Sequence, residues 1–186
     1  MIVTPAESRQ QLQSNQLLLH LQRHGQGFHN LMAEHVRSPM GDLAEEGNER
    51  PALHPYKLPE MVDPPLTDKG RHQCKARQSL AASMTPQIII TSPLCRAMQT
   101  ALITFHSHHG KIPFQAVEAA RETIGGNTCD KRRSRTDLES EYGDRIDLSH
   151  LSHDEDVLWT ADHRETPHEL VERIYIFLLE LRKRVI

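Results

Sequence analysis

Residues 87–91, Gln-Ile-Ile-Ile-Thr, form a short and nearly continuous apolar run that leads directly into Ser92-Pro93. Ser is a good N-cap and Pro suits the first helical position, so this pair predicts a helix start. The apolar residues that follow, from Leu94 to Phe105, keep helical spacing. A buried strand followed at once by a helix predicts an α/β fold, with three layers (α/β/α) and a mostly parallel central sheet.

A second apolar run, residues 16–22, ends at Arg23-His24-Gly25 and is predicted to be a buried strand. In parallel sheets, functional residues collect where strands end and helices begin. Arg96 lies in the first turn of the helix predicted after Ser92. We therefore expect Arg96 to lie near the Arg-His-Gly tripeptide.

Two further helices have clear start signals. Thr67, followed by an acidic residue, begins a stretch that extends to about Met84. Residues 166–169, Thr-Pro-His-Glu, form a capping box with Pro at the first position. The helix behind the capping box is predicted to bury one apolar stripe, formed by Leu170, Ile174, Phe177, Leu178, Leu181 and Val185.

The chain reads as one domain over residues 16–186 preceded by a polar tail, residues 1–15. Within it, residues 33–63 are rich in proline, lack periodicity and are predicted to be a long loop or lid. We expect this lid and the basic loop at residues 131–135 to set the substrate, although neither sequence carries a readable code for one.

Composition excludes several classes of protein. The 186 residues carry a formal charge of -3, which argues against a general nucleic-acid binder. We find no secretory signal and no apolar run of the ~20 residues that span a bilayer, so no membrane partner is expected. The three cysteines are widely spaced, as expected for reduced thiols in the cytoplasm. Nothing specifies an oligomeric state.

Phosphoryl transfer without a metal requires fixed positive charge, a nucleophile and an acid for the leaving oxygen. The guanidinium groups of Arg23 and Arg96 can bind phosphate oxygens in pairs. His24 would be the nucleophile, and Gly25 would let the backbone approach the phosphate closely. Arg-His-Gly alone is weak evidence, since a histidine after a strand is usually structural.

The order of short motifs along the chain is more specific. After the Arg-His-Gly come Asn30, Leu66-Thr67-x-x-Gly70, the run from Ser92 to Thr100, and Arg121-Glu122. This order resembles the histidine phosphatase superfamily, also called the phosphoglycerate-mutase-like family, from about Leu17 onwards. Residues 127–134, 157–162 and 164–166 are similar to a plant and fungal branch of mutase-like proteins.

The resemblance implies a role for each matching residue, and no metal or cofactor. His24 would take up the phosphoryl group as a phosphohistidine. Arg23 and Arg96 would hold the phosphate, and Asn30 would line the same pocket. Glu122 would protonate the leaving group and later activate water. Gln26-Gly27 replaces the Glu-Ser that many members carry after Arg-His-Gly.

The family also has a second histidine, in a turn after a strand that follows the last long helix. Here the sequence ends at Ile186, where that strand would begin, and neither His163 nor His168 matches. We expect a truncated gene model or splice form first, and a selected inactive relative second. Losing one such donor costs roughly 10²–10³ in rate by analogy with oxyanion holes.

The sequence therefore predicts a phosphatase that hydrolyses phosphate monoesters of small molecules or phosphoproteins. The enzyme is either active or impaired by the lack of the second histidine. Phosphatase is preferred to mutase, because nothing signals retention and re-delivery of the phosphoryl group. The alternative is an inactive phosphate-binding or interaction protein of the same fold. A third reading is a gene-model artefact that does not fold, which a non-cooperative melt would support.

Other motifs have plainer interpretations. The basic cluster at residues 131–135 reads as a solvated loop, although some of its arginines could face an anionic substrate. Residues 106–109 carry three histidines without matching ligands, and read as a polar helix end. Cys129 beside Asp130 and Lys131 could have a lowered pKa, yet loop thiols are usually inert. His20 is predicted to be a hydrogen-bonded core residue.

Overall fold

The computed structural model describes residues 17–37 and 54–185, so the predicted tail and the middle of the predicted lid lie outside the described residues. No helix in these two ranges is long and apolar enough to cross a membrane. They contain two strands, β1 (Ile89–Thr91) and β2 (Phe114–Ala116). Their α-helices are α1 (Phe28–Arg37), α2 (Asp68–Lys75), α3 (Gln78–Ala82), α4 (Cys95–Thr104), α5 (Arg135–Tyr142) and α6 (Pro167–Val185).

The β1–α4–β2 unit is the centre of the fold. The two strands run parallel, with Ile89 opposite Phe114 and Thr91 opposite Ala116. A parallel pair needs a crossover between its strands, and α4 supplies it. The predicted α/β class is confirmed. The core around this unit also takes residues from α5 and the segment after it, and includes Met98, Ala101, Leu138, Tyr142, Ile146 and Leu151.

Helix α4 begins at Cys95 rather than at Ser92-Pro93, so the predicted N-cap is wrong. Ser92 Oγ instead accepts a 3.3 Å hydrogen bond from the amide of Leu94. The Cys95 amide donates at 2.7 Å to Oδ1 of the buried Asp63. A carboxylate from a distant loop therefore supplies the acceptor that a local serine was expected to provide.

The predicted strand over residues 16–22 is wrong for the part that the structure describes. Residues 17–22 have no strand hydrogen bonding, and Leu18, Leu19 and Leu21 are exposed. His20 is also exposed, so it is not the core histidine that was predicted. An apolar run becomes a strand only when a neighbouring strand takes its backbone hydrogen bonds, and β1 pairs with β2 here.

Two helix starts are confirmed and one loop is shorter than predicted. Thr67 caps α2 by accepting from the Gly70 amide, although the predicted helix breaks into α2 and α3. Thr166 and Glu169 form the capping box of α6. The predicted lid begins too early, because residues 33–37 belong to α1.

The apolar stripe of α6 is only partly buried. Leu181 is buried and Phe177 half-buried, whereas Ile174 and Leu178 are exposed. The predicted burial is therefore wrong for these last two residues. Within residues 17–37 and 54–185, α6 packs mainly on the turn at Glu118–Ala120, which covers one side of the helix.

Candidate active site

Hydrogen bonds to two helices fix the loop that carries His24. The Gly25 amide donates to Oγ1 of Thr100 in α4, at 3.1 Å. The Gln26 amide donates to Oε1 of Gln73 in α2, at 2.9 Å. Gly25 is required by α2 rather than by a phosphate, since a Cβ there would lie 2.6 Å from the carbonyl oxygen of Gly70. The loop is therefore held by the α2 and α4 helices and by an antiparallel bridge between Gly27 and Leu66.

The imidazole of His24 has a defined tautomer. Its Nδ1 lies 2.6 Å from the backbone oxygen of Gly25. Since a carbonyl oxygen can only accept, Nδ1 must carry the proton and donate it. The other nitrogen, Nε2, then holds a lone pair, and it lies 3.5 Å from Oε1 of Glu122. Nε2 is buried and has no hydrogen-bond partner among the described residues.

Arg96 is almost completely buried at the start of α4, with its guanidinium held on two sides. Nη1 donates to the backbone oxygen of Cys129 at 2.6 Å, and Nη2 donates to Oδ1 of Asp130 at 2.9 Å. A longer contact of 3.4 Å joins Nη2 to Oε2 of Glu122. Arginine has five N–H donors, so this arrangement fixes the plane of the group and leaves donors for an anion.

Glu122 is the half-exposed member of the group, and α6 holds its backbone. Arg173 in α6 donates to the backbone oxygens of Arg121 and Glu122, at 3.1 and 3.0 Å. When Nε2 of His24 carries a proton, its contact with Glu122, together with the charge of Arg96, lowers the pKa of Glu122 to about 2, against the opposing effect of burial. In the unliganded site Glu122 is therefore a carboxylate.

Three of the five predicted site residues thus come together: His24, Arg96 and Glu122. Arg23 is exposed, although its charge reaches the site, where it lowers the pKa of a histidine on α1. Asn30 uses its side-chain oxygen to accept from the Gly27 amide, at 3.0 Å. That bond caps the start of α1 and occupies the oxygen that was expected to line the pocket.

Gln26 is also used within the protein. Its side chain donates to Glu34 at 2.8 Å and accepts from Thr67 Oγ1 at 2.9 Å. The glutamine therefore joins α1 to the start of α2, which is a structural role for a position where other members carry glutamate.

His29 was not predicted, and the structure places it in the site. It is 4% exposed, and its ring centroid lies 5.7 Å from that of His24. The sequence held one signal for it, because His29 and the buried Ala33 are four residues apart and share one face of α1.

The arginines of the basic cluster pair with carboxylates of the protein itself. Arg132 donates from Nε to Oε1 of Glu118, Arg133 pairs with Glu141, and Arg135 pairs with Glu139. The suggestion that some of them contact an anionic substrate stays a prediction.

Cys129 lacks the lowered pKa of a reactive thiol. Burial, followed by the charge of Asp130, raises the pKa of the Cys129 thiol to about 12. All three cysteines are buried and free.

A family model described as histidine phosphatase superfamily (branch 1) matches residues 54–185. The chain belongs to the histidine phosphatase superfamily. The matched range contains Arg96 and Glu122 and begins after His24, which the structure places against Glu122.

Curated relatives and a solved structure agree with the superfamily. A phosphoglycerate mutase-like protein of Arabidopsis thaliana is 29% identical over 83% of this chain and 62% of its own length. A probable phosphoglycerate mutase of Arthroderma benhamiae is 33% identical over 84% of this chain and 48% of its own length. The chain thus spans roughly half to two thirds of these relatives.

The solved structure is the ecdysone phosphate phosphatase of Bombix mori in complex with tungstate. It matches with a TM-score of 0.54 and 16% identity, over 87% of this chain and 65% of that one. The likeness confirms the phosphoglycerate-mutase-like α/β fold of a histidine phosphatase.

Proposed function

We propose that the protein hydrolyses phosphate monoesters through a phosphohistidine at His24. The observation that carries this proposal is the His24 tautomer, since Nδ1–H is bound to Gly25 and the lone pair of Nε2 is left beside Glu122 and Arg96. A nucleophile next to a carboxyl group and a fixed cation is the arrangement that metal-free phosphoryl transfer requires.

In the first step, the Nε2 lone pair of His24 forms a bond to phosphorus while the P–O ester bond breaks. The leaving oxygen takes the electron pair of that bond and a proton from Glu122. Arg96 neutralises the charge on the phosphoryl oxygens. In the second step, Glu122 accepts a proton from water, and the water oxygen attacks phosphorus. The P–N bond then breaks, its electron pair returns to Nε2, and inorganic phosphate leaves.

The protonation of Glu122 is coupled to substrate binding in this scheme. Without ligand, contact with a protonated His24 and the charge of Arg96 hold the pKa of Glu122 at about 2. A phosphate dianion bound between His24 and Arg96 would replace Glu122 as the partner of Arg96. It would also add negative charge beside the Glu122 carboxylate. Both effects raise the pKa of Glu122 and favour the protonated acid.

The substrate class is a phosphate monoester on a small molecule or a phosphoprotein. The names of the relatives include both mutases and a phosphatase of ecdysone phosphate. We favour hydrolysis over mutase activity, as the sequence does. A cytoplasmic location and the absence of nucleic-acid partners remain predictions of the sequence.

The test is turnover of a generic aryl phosphate by the purified chain and by His24→Ala. We expect turnover in the parent, its loss in the variant, and an acid-labile phosphoenzyme in the parent alone. His20→Ala is the matched control, because His20 is exposed four residues earlier and should leave the rate unchanged. Turnover that survives His24→Ala would remove the proposed nucleophile.

A second candidate is a protein of the same fold that binds phosphate without hydrolysing it. The carboxylate state of Glu122 favours it, because an ionised Glu122 cannot donate a proton. This candidate expects phosphate binding that depends on Arg96 and no phosphoenzyme. A labelled phosphohistidine would exclude it.

A further inference from the structure

His29 lies in the second position of α1, between the reactive histidine and a turn formed by residues 55–57. Its ring centroid is 5.7 Å from that of His24 on one side and 5.5 Å from that of Tyr56 on the other. The Tyr56 contact is edge-on, so the aromatic ring closes the outer side of the histidine. The imidazole is therefore packed into the wall of the site.

The Nδ1 atom of His29 is buried and has no hydrogen-bond partner among the described residues. Buried polar atoms of side chains are nearly always paired, because an unpaired one costs its full desolvation free energy. A histidine with only a packing role would satisfy this atom or be replaced by an apolar residue. The unpaired nitrogen is therefore available to water or to a ligand.

The direction of the ring supports this reading. A Cβ placed on Gly27 would lie 2.7 Å from Nδ1 of His29 and 3.6 Å from Cδ of Arg96. One corner of the site is therefore formed by the Nδ1 edge of His29, the Cα of Gly27 and the Arg96 side chain. Since Arg96 also contacts Glu122, this corner adjoins the place where the phosphate would bind.

The charged groups around His29 keep its imidazole neutral. Burial is the largest influence, and with the charges of Arg96, a protonated His24 and Arg23 it lowers the pKa of His29 to about 3, while Glu122 opposes the shift. A neutral imidazole carries one N–H and one lone pair, so it can donate without adding charge.

We propose that His29 is a second histidine of the phosphate pocket, donating from Nδ1 to an oxygen of the bound phosphoryl group. The inference rests on the proposed function for the identity of the ligand. It assigns the donor to α1, five residues after the nucleophile, within the residues that the structure describes. It adds a neutral hydrogen bond to the charge supplied by Arg96.

The test uses the full chain and inorganic phosphate, measured by calorimetry, so that it does not depend on turnover. His29→Leu removes the donor, His29→Asn places an amide nitrogen near the Nδ1 position, and His29→Gln places one farther out. A hydrogen bond to a charged group predicts a loss of binding of roughly 10–100-fold for His29→Leu. His29→Asn should recover most of this loss and His29→Gln should not.

His35→Leu is the matched control, because His35 is an exposed histidine on the same helix and its loss should leave phosphate binding unchanged. Thermal melts of all variants separate unfolding from lost binding. If His29→Leu does not fold, the Asn and Gln pair still decides the proposal. Equal phosphate binding by these two variants, or by His29→Leu and the parent, overturns it.

Turnover measured on the same variants separates the two proposals. Weaker phosphate binding by His29→Leu, without any turnover that depends on His24, supports the His29 contact and contradicts hydrolysis. Turnover that depends on His24 but is indifferent to every change at His29 supports hydrolysis and contradicts the His29 contact. A parent chain that binds no phosphate contradicts both.

Discussion

Arg121 and Glu122 are neighbours in sequence, yet they lie in two different electrostatic environments. Arg121 is buried and makes a two-pronged ion pair with Asp156, at 2.9 and 2.7 Å. Glu122 is half-exposed and makes only long contacts, at 3.5 Å to His24 and 3.4 Å to Arg96. One residue belongs to a closed network of paired charges and the other to a group that can accept a ligand.

The closed network holds the segment from which the site is built. Glu118 pairs with both Arg121 and Arg132, and the Arg132 amide donates to Asp156 at 2.9 Å. Carboxylates and guanidinium groups that are paired at short distance have few hydrogen-bonding atoms left for a ligand. The site differs because the Glu122 contacts are long and two imidazole nitrogens, one on His24 and one on His29, are unpaired, whereas the network leaves the Nε of Arg121 without a partner among the described residues. The network therefore makes the segment rigid, and the incomplete pairing beside it leaves atoms available to a ligand.

The largest effect on activity is expected from Glu122→Gln. The amide keeps the shape but cannot donate or accept the proton, so turnover of an aryl phosphate should fall roughly 10²–10⁴-fold. Unfolding in denaturant should change little, because the side chain is half-exposed. Glu118→Gln is the matched control and should show the reverse, with stability reduced and rate retained. Equal rates for the two variants would contradict the contrast between site and network.

Local sequence signals predicted the parts of the site that depend on neighbouring residues. The apolar run 87–91 and the helix after it located Arg96, and the capping box at residues 166–169 located α6. The motif order of the family indicated His24 and Glu122, which the structure places in contact.

Long-range partners were not predictable in this way. Asp63 caps α4 from 32 residues away, and Asp156 pairs with Arg121 across 35. No periodicity links such residues, since their contact exists only after the chain has folded. The strand predicted at residues 16–22 was wrong for the same reason, because strand formation depends on a partner elsewhere in the chain.

Asp156→Ala tests the closed network directly. It would leave Arg121 buried with only Glu118 opposite its charge, and breaking a buried pair costs about 3–5 kcal/mol. We expect a loss of unfolding free energy near the lower end of that range, measured in urea. Asp154→Ala is the control, because that exposed carboxylate serves the start of α5 and its loss should matter much less. A loss no greater for Asp156 than for Asp154 would mean that the network contributes little.

A smaller effect is expected on the pH dependence of the unfolding free energy in acid. Burial alone would raise the pKa of Asp156, but the hydrogen bonds and charge of Arg121 outweigh it and lower that pKa below its ordinary 3.8. A lowered folded-state pKa gives stability that is present above the unfolded pKa and lost as the pH falls below it. The difference in unfolding free energy between the parent and Asp156→Asn should therefore narrow between about pH 6 and about pH 3. A constant difference over that range would contradict the assignment.

The smallest effect is expected at the capping box of α6. Thr166 accepts from the Glu169 amide at 3.3 Å, and an N-cap threonine is worth about 1 kcal/mol. Thr166→Ala should lower the unfolding free energy by that amount, while Thr166→Ser should keep it.

Because α6 holds the Glu122 backbone through Arg173, fraying of its first turn could also reach the site. We expect the aryl phosphate rate to stay unchanged, since Arg173 lies nearly two turns beyond the cap and remains tied to Glu165. A fall in rate that accompanies the lost stability would show that the site depends on the end of α6 as well as on the closed network.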